Sequence, residues 1–161
     1  MLTYSINVHG LADLDKQFQK APELVRSHIT TAMNKSLVRL HGTAKELVPV
    51  DQGTLRGSLI ISPVTWSGST ATGNVGTNLH YAVYQEQGTG IYGPSGQPIR
   101  PKTKTVLAWQ KNGAWHFARQ VRGVRPKWYM RTSAERNEQA VNGYFATAMD
   151  EVARALTGGA Q

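Results

Sequence analysis

This 161-residue sequence predicts an α+β fold: an antiparallel sheet of about five strands with two long amphipathic helices on one face, plus a long Gly/Pro-rich arm and a β-hairpin. Three observations carry that reading. Apolar residues recur at spacings of three and four from Val25 to Leu47 and again from Val141 to Ala155, the pattern of helices with one buried face. Between them, glycines and prolines cut the chain into short runs in which apolar and polar residues alternate, as half-buried strands do. Within that middle part Asn112-Gly113 separates two strand-like runs, and Asn-Gly is a strong two-residue hairpin signal. The length suits a single domain, 1–161, with one core.

Leu2 to Val8 alternates apolar and polar residues and reads as a strand ended by Gly10. A short helical piece follows with Leu11, Leu14 and Phe18. Pro22 reads as a restart or kink, because a proline in a first turn removes a donor that would be unpaired anyway. Val25, Ile29, Met33, Leu37, Leu40, Ala44 and Leu47 then form an apolar stripe over roughly seven turns, with Arg26, Lys35, Arg39 and Lys45 opposite.

The joint of the chain is Val48 to Ser58. Pro49 has no N–H and disfavours helix at Val48, so the helix stops there. Asp51-Gln52-Gly53 is a turn, with Gly53 free to take a backbone other residues resist. From Thr54 the residues look strand-like. Leu55, Leu59, Ile61, Val64 and Trp66 suggest a strand bent near Pro63, Ser67-Gly68-Ser69 a turn, and Thr70 to Thr77 a return arm with Ala71, Gly73 and Val75 inward. Asn78 is placed to cap a short helix over Tyr81 to Glu86 that ends at Gly88.

Gly88 to Lys104 holds four glycines and three prolines with little to bury, and reads as a mobile arm. Thr105 to Gln110 and Trp115 to Val121 make the hairpin, in which Trp109, Trp115 and Phe117 are expected to pair across the strands. After the basic turn Arg122 to Pro126, Thr132 and Glu135 fit a capping box for the last helix. Its buried face is Val141, Tyr144, Phe145, Ala148, Val152 and Ala155, and Gly158 stops it.

Composition narrows the chemistry. The absence of cysteine excludes disulfides and thiolate sites. No apolar run reaches the ~20 residues of a membrane helix and the first residues are too polar for a secretory signal, so the expectation is a soluble chain without a membrane partner. Net charge is +8, and its placement matters more than its size. Between Gln87 and Ala134 lie nine basic residues (Arg100, Lys102, Lys104, Lys111, Arg119, Arg122, Arg125, Lys127 and Arg131) and no carboxylate. Such a block attracts nucleic acid or an acidic protein surface, or is simply a solvated edge.

Catalysis has no visible carrier. The histidines His9, His28, His41, His80 and His116 lack metal-site spacing. Asp51 and Glu86 are the only carboxylates beside suggestive glycines, and a turn residue and an ion-pair partner account for them better than acid–base work. Gly88-Thr89-Gly90 and Gly93-Pro94-Ser95-Gly96 lack the Gly-Lys-Ser/Thr ending of a phosphate loop. Neither an enzyme nor a cofactor is expected.

Three separated blocks nevertheless carry a resemblance. The first runs from Ala44 through Val48, Pro49, Val50 and Asp51 to Gly53, Thr54, Leu55, Arg56 and Ser58; the second joins Tyr81-Ala82 to Glu86-Gln87-Gly88-Thr89; the third runs from Arg125-Pro126 to Met130 ahead of a closing helix. In that order they resemble the gene-ten-product-like tail-component family of phage HK-ninety-seven. Two departures stand out. Gln52 occupies a position where the family usually has Thr, which costs about one turn hydrogen bond, or ~1 kcal/mol. The Pro-aromatic-apolar signature is stretched to Pro126-Lys127-Trp128-Tyr129-Met130.

The resemblance implies a structural virion protein of the neck or tail end, assembled in the host cytoplasm. It would form a symmetric ring, commonly of six subunits, that joins head to tail or completes the tail. Its partners would be copies of itself and the neck, connector and tail-tube proteins, with non-specific DNA contact in the channel as a further expectation. Head-to-tail rings need two different surfaces on each subunit. The candidates are Trp109, Trp115, Phe117, Arg122, Arg125, Lys127 and Trp128, together with the arm, while Pro49, Asp51, Gly53, Leu55, Arg56, Tyr81, Glu86, Gly88 and Thr89 are motif residues with structural roles. The alternative function is sequence-independent nucleic-acid binding through the basic segment 87–134, where the tryptophans would stack bases.

Overall fold

The computed structural model describes residues 11–157, with side chains from residue 21 onward. The strand expected over Leu2 to Val8, the side chains of Leu11, Leu14 and Phe18, and the stop at Gly158 lie outside the described residues. Two helices bracket the rest: α1, Leu11–Leu47, and α4, Tyr129–Thr157. Between them lie α2 (Thr54–Ser58), β1 (Ile60–Ile61), β2 (Thr65–Ser67), β3 (Thr70–Thr72), β4 (Val75–Gly76), α3 (Ala82–Gln87), a single 3₁₀ turn (Gly90–Tyr92), β5 (Leu107–Lys111) and β6 (Ala114–Ala118). The class is α+β, as the sequence predicts.

Helix α1 continues through Pro22 and stops at Leu47, two residues before Pro49. The Val48 amide still donates to the Ala44 carbonyl at 2.9 Å, closing the last turn before proline removes the next donor. Beyond the joint the structure departs from expectation. Thr54–Ser58 is helical rather than extended, entered through Gly53 at φ 79. Gly53 therefore serves as the left-handed entry to a helix, not to a strand.

The expected sheet of about five strands is not what the described residues form. Their strands make three separate two-stranded antiparallel ladders, β1–β4, β2–β3 and β5–β6. Without a common sheet there is no shared face for both helices. The reason lies in the breakers the sequence displays. Ile60 pairs with Gly76 and Ile61 with Val75, then Pro63, which has no donor, interrupts the pairing before Thr65 meets Thr72. Ladders of two or three residues result.

The chain divides into two compact units. Among the described residues, the first comprises 11–39, 62–74 and 137–157. In it the β2–β3 hairpin turns at Gly68-Ser69, as expected, and its inward residues meet α1. The Trp66 indole N–H donates to Thr30 Oγ1 at 3.0 Å, and the Arg26 guanidinium lies 5.2 Å from the Trp66 ring while donating to the Gly68 carbonyl at 2.8 Å. Gly73 is inward as predicted, and a Cβ there would come within 2.7 Å of Leu37 Cδ1. His28 Nδ1 on α1 and Glu151 Oε2 on α4 are 2.9 Å apart, and the Arg39 Nε–H donates to Asn137 Oδ1 at 2.9 Å. Ala32, Leu37, Ala148 and Val152 are buried here, while Ala155, expected on the buried face of α4, is exposed.

The second unit comprises residues 40–61 and 75–136. Its core is Ala44, Val48, Leu55, Leu59, Ala82 and Tyr129, with Leu47, Leu79, Tyr81 and Met130 packed against it. Short elements far apart in sequence thus share one apolar cluster.

Candidate functional site

Each residue of that core, Leu59 apart, comes from one of three sequence blocks: 44–58, 81–89 and 125–130. The blocks are joined by polar bonds as well as by burial. The Lys127 and Trp128 amides donate to the Gln85 and Glu86 carbonyls at 2.8 and 3.1 Å, so the open C-terminal end of α3 is closed by the chain entering α4. The Glu86 carboxylate takes the first free amides of α4, with Oε2 accepting from Met130 at 2.9 Å and Oε1 from Arg131 at 3.0 Å. A carboxylate bridging two N-terminal amides satisfies both donors and opposes the positive end of the helix dipole.

This corrects the expected capping box. Helix α4 starts at Tyr129, before Thr132, and Glu135 instead accepts from the Arg131 Nε–H at 2.8 Å, one turn away. Asn78 likewise does not cap α3, whose first residue is preceded by Tyr81 without a side-chain bond. Thr77 Oγ1 accepts from the Leu79 amide at 3.1 Å and lies 2.6 Å from Ser58 Oγ. Tyr129 is 2% exposed, and burial first, then the charge of Glu86 and the neighbouring Tyr81, push its phenol above the ordinary value.

Of the motif residues, Pro49, Asp51, Gly53, Leu55 and Tyr81 line one open hollow of about 290 Å³ with Val50, Gln52, Thr54 and Gln85. Arg56 is exposed. Gly88 and Thr89 have a different task, binding the start of the Gly/Pro-rich segment to the strand-like stretch 121–126. The Thr89 amide donates to the Val124 carbonyl, the Val124 amide to Thr89 Oγ1 and the Ile91 amide to the Arg122 carbonyl, each at 2.9 Å, and Ile99 pairs with Val121. The backbones cross so closely that a Cβ on Gly90 would lie 2.2 Å from the Arg122 carbonyl oxygen, and one on Gly123 2.1 Å from that of Thr89. The segment expected to be a mobile arm is thus bonded to that stretch at Thr89, Ile91 and Ile99.

The β5–β6 hairpin forms on the expected turn. Asn112 and Gly113 sit at φ 51 and 78, the left-handed pair that matches the twist of the flanking strands. The aromatic pairing differs from expectation. Trp109 stands opposite His116 and stacks on it at 5.6 Å, whereas Trp115 and Phe117 lie on the other face, 6.4 Å apart and nearly parallel. The two-residue period of a strand explains the split, since Trp115 faces Gln110 in the ladder rather than Trp109. Trp115 is 64% and Phe117 66% exposed.

At the base of the hairpin, the Arg122 and Arg125 guanidiniums lie 5.7 and 5.0 Å from the ring of Tyr92, a residue the sequence reading passed over. Lys127 and Trp128 follow, Trp128 at φ 50 with the Arg131 guanidinium 5.4 Å from its ring. Among the described residues there is no group of three or more metal-ligating side chains, and no helix is long and apolar enough to cross a membrane.

Residues 12–88 match the model of a family described as "Bacteriophage HK97-gp10, putative tail-component". That match bears out the resemblance over just under half of the chain and takes in the whole first block and all but Thr89 of the second. Neither a curated protein nor a solved structure matches the chain.

Proposed function

We propose that this chain, a member of that bacteriophage tail-component family over residues 12–88, is a ring-forming subunit of the neck or tail end. The observation that carries the proposal is the β5–β6 hairpin. Its two strands pair only with each other among the described residues, and one face presents the stacked, largely exposed pair Trp115 and Phe117. Exposed aromatic pairs of this kind are enriched at the centres of protein interfaces. Unpaired strand edges can extend a neighbour's sheet through backbone bonds.

A head-to-tail ring requires each subunit to offer two unlike surfaces. The hairpin supplies one. The basic stretch with Arg122, Arg125, Lys127 and Trp128 is available for an adjoining component, where charge chiefly guides encounter and register. The family assignment favours a protein partner over nucleic acid. In this reading the motif residues Pro49, Asp51, Gly53, Leu55, Arg56, Tyr81, Glu86, Gly88 and Thr89 build and rigidify the subunit without themselves meeting a partner.

The test is native mass spectrometry of the purified chain, alone and mixed with tails, beside the double variant Trp115→Ser/Phe117→Ser. The expected result is a discrete ring for the parent chain and monomer for the variant, with unchanged far-ultraviolet circular dichroism. A variant that assembles as the parent does would contradict the role of the hairpin.

A further inference from the structure

We propose that Arg122 and Arg125, seated on the ring of Tyr92, form a two-pronged receptor for carboxylates on an acidic protein of the virion. The inference rests on the tail-component reading only for the source of those carboxylates. The receptor itself rests on geometry.

Both guanidiniums lie within 6 Å of one aromatic ring, at 5.7 and 5.0 Å, and among the described residues neither has a carboxylate partner. Glu86, the acidic residue nearest in sequence before them, is already committed to the Met130 and Arg131 amides. Two like charges are therefore held on a common platform with no counter-charge, an arrangement that an incoming anion relieves. A guanidinium resting on a ring keeps the donors at its edge available, and their planar fork matches the two oxygens of a carboxylate.

The backbone that carries the two arginines is itself tied down. Between them, Gly123 at φ 91 threads past Thr89 where no side chain fits, and the Val124 amide and carbonyl are both bonded to Thr89. Tyr92 lies on the other segment of the crossing, where its amide donates to the Thr89 carbonyl at 3.2 Å. Such preorganisation favours a partner with a fixed shape of its own, because little ordering remains to be done on binding.

At this receptor protein is favoured over nucleic acid by the state of its own aromatic: Tyr92 is half-buried with two cations against its ring, so it is not an open platform for a base. A second copy of the chain, with 18 Lys and Arg against 10 Asp and Glu, is a poorer source of carboxylates than an acidic component. A different, acidic component is the better fit.

The experiment uses the full chain, with fluorescence anisotropy as the readout. The probes are a labelled twelve-residue peptide of alternating Glu and Ser and a labelled twelve-nucleotide oligothymidylate. The parent should bind the peptide, and Arg122→Gln/Arg125→Gln should bind it at least tenfold more weakly. Arg122→Lys/Arg125→Lys should lose nearly as much, because an ammonium keeps the charge but not the fork. Tyr92→Leu, which leaves both charges but unseats them, should lose threefold or more, and Lys102→Gln/Lys104→Gln less than threefold. Circular dichroism establishes that each variant is folded, and the lysine pair guards against an arginine-to-glutamine variant that is not. No peptide binding by the parent, parent-like affinity in Arg122→Lys/Arg125→Lys or in Tyr92→Leu, or tighter binding of oligothymidylate than of peptide would each overturn the receptor. Ring formation by the parent would be unaffected by any of these, so failure here is distinguishable from failure of the tail-component reading.

Discussion

At the scale of single residues, a few contacts decide whether the second unit closes. Glu86 is the clearest, because one side chain satisfies two helix-start amides from 44 and 45 positions away. Glu86→Ala should cost about 1–2 kcal/mol, read as a lower urea midpoint with unchanged slope, since a bridging anionic cap is lost without emptying the core. Tyr129 sets a pH limit. Its phenol is raised in the folded chain by burial and then by Glu86, so the stability it contributes is complete below the unfolded value near pH 10 and is lost as pH rises through the higher folded value. Urea midpoints measured from pH 8 to 11 should therefore fall at the alkaline end, and fall less steeply in Tyr129→Phe.

Two glycines, which look alike in sequence, separate in space. Gly123→Ala must drive a Cβ into the Thr89 carbonyl at φ 91 and should cost about 2–4 kcal/mol, whereas Gly96→Ala at φ 60 meets open space and should cost about 1. Thermal midpoints of the two variants check the contrast. Trp128 inverts the usual order. A bulky residue at φ 50 is strained, and Trp128→Asn, which suits both that backbone and a helix start, should raise stability by about 1 kcal/mol while weakening assembly.

At the scale of elements, what the sequence made legible was whatever a few neighbouring residues decide. The stop of α1 before Pro49 and the left-handed turn at Asn112-Gly113 follow from local sterics and were foreseeable. The α2 helix was not, because Leu55 and Leu59 fit a strand's alternation loosely and a helix's i, i+4 spacing well, and only burial against Ala44, Val48 and Tyr129 chooses. The cap of α4 was hidden for a different reason, since Thr132 and Glu135 offer the local pattern while the cap used comes from α3. Tyr92 had no signal at all, because nothing in Gly90-Ile91-Tyr92 announces two arginines thirty residues on. The hairpin shows the limit of composition: three aromatics in nine residues were visible, but their division between two faces needed the register.

At the scale of the whole molecule, α1 and α4 each contribute residues to both compact units. We propose that the chain folds as one cooperative domain despite that division. Tryptophan fluorescence, which samples Trp66 in the first unit and Trp109, Trp115 and Trp128 in the second, should trace the same urea transition as circular dichroism, and two separated transitions would refute this. The larger claim is mechanical. On the proposed function, the subunit's worth lies in an aromatic hairpin and a cationic stretch offered to other virion proteins, held on a core built largely from three sequence blocks. The most direct measurement is particle assembly in a host carrying the phage genome with a stop codon early in this gene. The account predicts tails that are incomplete or unjoined to heads by electron microscopy, with infectivity restored by the intact gene in trans and not by the Trp115→Ser/Phe117→Ser gene. Complete, infectious virions formed without the protein would contradict it.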